Sequence, residues 1–199
     1  MCIRDRDYMT GEKNYTTKKI AIVALMIGLV YVGSLISFYI PVGIGTPTRL
    51  HLGNGFCLLS GLILGPIWGG FAAGVGSVFL DLTNPAYIAG APITFIFKFL
   101  MGAVCGAIAM DKSGHGLNKR KNLIGGILGQ LTYIVLYIGK TFLSLNLLFG
   151  VPKEGAWATL ATKLGSSVIN AVFAVLISMA LMLVINSRPE VRRQVDQIN

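Results

Sequence analysis

The feature that most limits what this chain can become is the length of its uncharged runs. Residues 52–80 give 29 positions without a charged side chain, and residues 82–97 give another 16. Residues 20–40 and 164–187 are uncharged as well. About 20 apolar residues suffice to cross the hydrocarbon core of a bilayer. Charged residues make up 13% of the chain, against about 25% in soluble proteins, and the mean hydropathy is +0.70. The chain reads as an all-α, multi-pass integral membrane protein.

The formal charge of +9 raises nucleic acid as a partner, but the distribution argues otherwise. Twelve of the 17 basic residues fall in three groups: Arg4, Arg6, Lys13, Lys18 and Lys19; then Lys112, Lys119, Arg120 and Lys121; then Arg188, Arg192 and Arg193. Basic segments beside spans are the signature of cytoplasmic loops. No nucleic-acid role is expected. A cleaved signal peptide is not expected either, because the run from Ile20 is long enough to span. The opening "MCIRDRDYMT" is out of character with the rest of the chain, and the expectation is that Met9 is the true start. Cys57 and Cys105 lie in apolar runs and read as small buried hydrophobes.

Charge parity counts the spans. If all three basic groups are cytoplasmic, an even number of crossings separates each from the next. Three apolar pieces, 20–40, 52–80 and 88–110, lie between the first two groups, so one piece must divide. "LILGPIWGG" offers the break at Gly65 and Pro66, since proline disrupts a helix interior and its predecessor avoids the α region. The expectation is six transmembrane helices, short helices 2 and 3 joined by a tight turn, and both termini cytoplasmic. Residues 122–146 form the fifth helix, "GVPKEGAW" (150–157) a turn and 158–187 the sixth. Segments 40–51, 81–91 and 147–157 then lie outside. The organisation expected is a flexible N-terminal stretch (1–17), a membrane domain (18–187) and a basic tail (188–199).

Polar groups inside spans are expensive and are functional candidates. Lys98 stands seven residues past Ala91, about 10 Å along a helix starting there. It either contacts substrate or a polar network, or reaches the interface. Gln130, Tyr133, Tyr137 and Lys140 recur on one helical face, and Lys163, Ser167 and Asn170 on another. Arg49 and His51 sit at the outer mouth of helix 2, with Asn54 one turn inside. Asp81 and Asn84 open the second outer loop, which also carries Tyr87. For each, a structural role competes with a ligand role. Gly70 and Gly74 support close helix packing, and Ala24 and Gly28 form a small-residue strip on helix 1.

Several chemistries are missing from the sequence. It has no GxxxxGK[ST], no HExxH, no CxxC pair and no serine elbow. Neither an enzyme, a cofactor nor a metal is expected, and energy for transport must come from an ion gradient or another subunit.

"RLHLGNGFCLLSGLILGPIWGGFAAGVGSVFLDLTNPAY" followed by "APITFIFKFLMGAVCG" resembles the substrate-binding S components of energy-coupling factor (ECF) vitamin importers, in the riboflavin-type branch. The likeness covers roughly residues 18–187, and its specific part is the "LGP" between short helices followed by Asp81, Leu82, Thr94, Lys98 and Gly102. It implies a six-helix bundle that binds a vitamin or precursor near the outer face of a bacterial-type cytoplasmic membrane, under a lid formed by the loop after helix 1. It also implies partners: a membrane coupling subunit and two cytoplasmic ATPases, with the whole S component toppling in the bilayer during transport. On this resemblance Gly45, Thr46 and Thr48 belong to the lid. The A-x-x-x-A docking pattern of the family falls on Ala24 and Gly28, with glycine in the second place. Candidate substrate contacts are Arg49, His51, Asn54, Asp81, Asn84, Lys98, Gln130, Tyr133, Tyr137, Lys163 and Asn170. The rival expectation is a self-sufficient ion-coupled secondary transporter, against which stands the lack of an acidic residue deep in a span. No motif selects among vitamins.

Overall fold

A computed structural model describes residues 3–40, 48–111, 114–147 and 153–197. In chain order the elements are α1 (Ile3–Leu35), β1 (Ser37–Ile40), β2 (Thr48–His51), α2 (Gly53–Leu82), α3 (Pro85–Ile88), α4 (Ala91–Ala109), β3 (Met110–Asp111), β4 (Gly114–His115), α5 (Lys119–Leu147), α6 (Lys153–Ser187) and α7 (Pro189–Asp196). The molecule is an all-α bundle with two small hairpins. Among the described residues five helices are long and apolar enough to cross a membrane: Thr17–Leu35, Gly53–Leu82, Ala91–Ala109, Lys119–Asn146 and Gly155–Ser187. Large apolar side chains such as Leu131, Val172 and Leu176 face outwards and are exposed. A bundle with so apolar an exterior belongs in lipid, and the chain is a multi-pass membrane protein.

The break expected at "LGP" is present within α2. Gly65 is non-helical, with φ 75° and ψ −171°, a region open essentially to glycine alone. The chain reverses there. Ser60 Oγ donates to the carbonyl of Gly69 at 2.9 Å, while Cys57 Sγ lies 3.7 Å from Ser77 Oγ. Residues 53–64 and 66–82 therefore run antiparallel, side by side. Glycines bring α4 against this turn: a Cβ on Gly106 would stand 2.6 Å from the carbonyl carbon of Gly65. Leu58, Leu62, Met101, Cys105 and Val30 fill the apolar core around this contact. Cys57 and Cys105 are buried and free.

Two boundaries differ most from the sequence reading, the end of helix 1 and the start of the sixth helix. Helix 1 ends at Leu35 rather than near residue 40, and Ser37–Ile40 pairs antiparallel with Thr48–His51, Tyr39 opposite Arg49. Pro41 fixes this locally, because a residue preceding proline is driven to extended backbone, and "SFYI" is rich in strand formers. The sixth helix begins at Lys153, inside the stretch read as a turn. The tail is helical in α7, where Arg192 and Val195 are buried, and Lys18 Nζ donates to Gln197 Oε1 at 2.9 Å.

Candidate functional site

The end of the bundle carrying the β1–β2 hairpin and α3 contains a cavity of about 800 Å³. Its walls come from α1, α2, α4, α5 and α6, and its cover from β2 and α3. Lys98 is the most deeply set cation, 2% exposed. It enters from α4, donates from Nζ to Asn54 Oδ1 and lies 3.8 Å from the centroid of the Tyr133 ring. An ammonium over an aromatic face gains strength where water is excluded. Tyr133 and Tyr137, one turn apart on α5, stack with centroids 5.8 Å apart and planes within 10°.

The cover is tied to the bundle by polar side chains. Arg49 on β2 forms an ion pair with Asp81, at 2.5 Å, and its guanidinium stacks 3.9 Å above the Tyr87 ring. Asn170 on α6 acts as a substitute strand: its Nδ2 donates to the carbonyl of Arg49 at 2.6 Å and its Oδ1 accepts from the backbone N–H of His51 at 3.0 Å. These bonds satisfy backbone groups on the free edge of β2. Arg49 Nη1 and His51 Nδ1 are buried without a hydrogen-bond partner among the described residues. Buried polar atoms are normally bonded, and both of these belong to residues lining the cavity.

Burial, and then the charges of Lys98 and Arg49, hold the His51 imidazole well below its ordinary pKa. Burial likewise raises the Tyr87 phenol. A neutral His51 spares a cation-rich site one more positive charge. The unfolded chain protonates His51 near pH 6.5, before the folded chain does, so folded stability is complete above that pH. It falls as the pH drops below it, by up to about 1.4 kcal/mol per unit. Melting temperatures measured from pH 7 to about 5.5 should decline, and His51→Gln should remove that component.

Eight of the eleven candidate substrate contacts line the cavity: Arg49, His51, Asp81, Lys98, Tyr133, Tyr137, Lys163 and Asn170. Three do not. Asn54 stands behind Lys98 as its acceptor. Asn84 caps α3, its Oδ1 accepting from the Ala86 N–H at 3.1 Å. Gln130 is 2% exposed, and neither amide atom has a partner among the described residues. Thr48 lies in β2 opposite Ile40, while Gly45 and Thr46 lie outside the described residues. Ala24 and Gly28 face out of the bundle, and a Cβ on Gly28 would meet nothing within 4 Å. Sequence reasoning passed over Ser34 and Ser77, which line the cavity from α1 and α2. A serine in an apolar helix was the available signal, but it equally marks a back-bonded serine, and Ser34 does bond the carbonyl of Val30.

A bundle of apolar helices with a cavity at one end, lined in part by charged and aromatic side chains, defines a membrane-embedded binding protein for a small molecule. The family described as "ECF-type riboflavin transporter, S component" matches residues 14–187, and the chain belongs to that family. Chains of that family are the S components of ECF-type transporters. A solved structure described as "Structure and mechanism of the S component of a bacterial ECF transporter" superposes with a TM-score of 0.56, covering 83% of this chain and 96% of that one at 19% identity. That likeness speaks for the fold. An uncharacterized protein from Pyrococcus woesei, described as lying in a "gap 3'region", is 28% identical over 93 residues, 47% of this chain and 59% of that one.

Proposed function

We propose that this chain captures a small water-soluble vitamin or vitamin precursor in the 800 Å³ cavity and delivers it inwards in complex with a membrane coupling subunit and two cytoplasmic ATPases. The observation carrying this reading is the cavity itself, within the size range of sites for drug-sized ligands and lined by charged and aromatic groups inside an otherwise apolar bundle. The family description points to riboflavin as the first compound to test. Arg49, His51, Lys98, Tyr133, Tyr137, Lys163 and Asn170 are the proposed contacts, with Asp81 and Asn54 positioning Arg49 and Lys98. The segment between β1 and β2 is the proposed lid. Ala24 and Gly28, exposed on α1, are the proposed docking strip for the coupling subunit.

The antiparallel halves of α2 favour six crossings. Six crossings put both termini on the side of the basic loops, the cytoplasmic side of a bacterial-type plasma membrane. A proton-coupled transporter needs a carboxylate free to exchange a proton, whereas Asp81 is engaged by Arg49.

Native mass spectrometry of the gently purified chain, with released small molecules identified in parallel, tests the reading. One stoichiometric vitamin-like ligand is expected. A folded protein that stays empty across a vitamin panel including riboflavin sinks it.

A further inference from the structure

The cavity holds more positive charge than its described walls neutralise. Arg49 and Asp81 cancel as a pair, and Lys98 is held by Asn54 and the Tyr133 face. Two lysines remain, Lys140 on α5 and Lys163 on α6, both lining the cavity. Neither has a carboxylate partner among the described residues. Lys163 is only 5% exposed, with its Nζ 5.6 Å from the Tyr137 centroid. Lys140 reaches the cover, where a Cβ on Gly90 would stand 3.6 Å from its Nζ. Apart from Asp81, the acidic side chains described are Glu190 and Asp196 on α7, which docks at the other end through Lys18 and Gln197. Glu154, the second residue of α6, stands nine positions before Lys163, about 13 Å along the axis.

Two ammonium groups lining one membrane-embedded cavity are costly unless an anion joins them. Resting on the reading of this cavity as the substrate site, we propose that the substrate carries an acidic group, a carboxylate or phosphate ester, and that Lys140 and Lys163 bind it. The geometry gives the ligand two ends. Tyr133 and Lys140 are seven residues apart on α5, about 10 Å along the helix. Lys98 marks the deep end and the lysine pair the end nearest the cover. The Tyr133–Tyr137 stack forms the wall between them, suited to a planar ring.

The test titrates inorganic phosphate against chloride at constant ionic strength, in lipid-free detergent so that no headgroup supplies the anion, and follows the melting midpoint. Phosphate stabilises any folded protein weakly and without saturation by exclusion from its surface, so saturation is the signal. A saturable rise of about 3 °C at ten times the half-effect concentration is expected. It should vanish in Lys140→Met and Lys163→Met and persist in Lys119→Met, at the opposite end. A wild-type response that is linear and equal to that of both cavity variants overturns the proposal. Riboflavin and its 5′-phosphate, which share one ring system, form the second arm. The phosphate ester should bind at least about tenfold tighter, falling towards parity in Lys163→Met. Tighter binding of riboflavin overturns the acid site and leaves the capture function standing. Saturable phosphate binding by a chain that retains no organic ligand does the reverse.

Discussion

Replacing Lys98 with methionine should weaken binding of the ligand released from the purified protein by about 100-fold, the loss of one strong charge-assisted contact. The melting temperature of the empty protein should stay level or rise. The two expectations come from the same geometry. Lys98 is buried at 2% exposure, bonded to the neutral acceptor Asn54 and set over Tyr133, with Asp81, the acid in the cavity, already engaged by Arg49. A buried cation without its own counter-ion is a cost to folding, and an apolar side chain of similar length relieves it. The charge is thus of use chiefly to something that binds. A purely structural lysine would give the opposite pattern, a lowered melting temperature with unchanged affinity. Titration calorimetry and thermal denaturation on the same preparation separate the two. Lys98→Arg should not rescue binding, because the planar guanidinium cannot occupy a site closed by Asn54 and Tyr133 without moving them.

What the sequence made legible was set by the bilayer. Uncharged length located the helices, and the parity of basic loops required the reversal that Gly65 provides at φ 75°. The faces of α5 and α6 could be read because a helix repeats every 3.6 residues, so Tyr133, Tyr137 and Lys163 reached the cavity as expected. Pairings between distant elements were not legible. Asn54 and Lys98 meet across 44 positions, and His51 and Asn170 across 119. Nothing in local periodicity distinguishes an asparagine that touches ligand from one that holds the residue doing so. The β1–β2 hairpin was hidden for a related reason. "SFYI" is as apolar as the helix before it, and its strand character depends on a partner eight or more residues away. Gln130 shares the face of Tyr133 but stands deeper, buried and outside the cavity wall.

Gly106→Ala should lower stability by about 3 kcal/mol, the upper range for overpacking, and the melting temperature by about 6–12 °C. The added methyl would stand 2.6 Å from the Gly65 carbonyl carbon and 2.8 Å from both the Gly61 oxygen and the Pro66 nitrogen. All three are backbone atoms, and none can rotate away as a side chain would. They also belong to the reversal of α2, which Gly65 alone among residue types adopts without strain. The methyl must therefore push α4 off the α2 turn. Gly165→Ala is the matched control: nothing lies within 4 Å of its added Cβ, and the gain in helix propensity, about 1 kcal/mol, should leave the protein equal or more stable. The displacement should also reach the ligand. α4 carries Lys98 and the first half of α2 carries Asn54, so separating these helices widens the gap between Lys98 and Asn54. Affinity should fall in Gly106→Ala even at temperatures where the protein remains folded. Unchanged affinity together with a full melting-temperature loss would mean that the cavity is positioned by α5 and α6 alone.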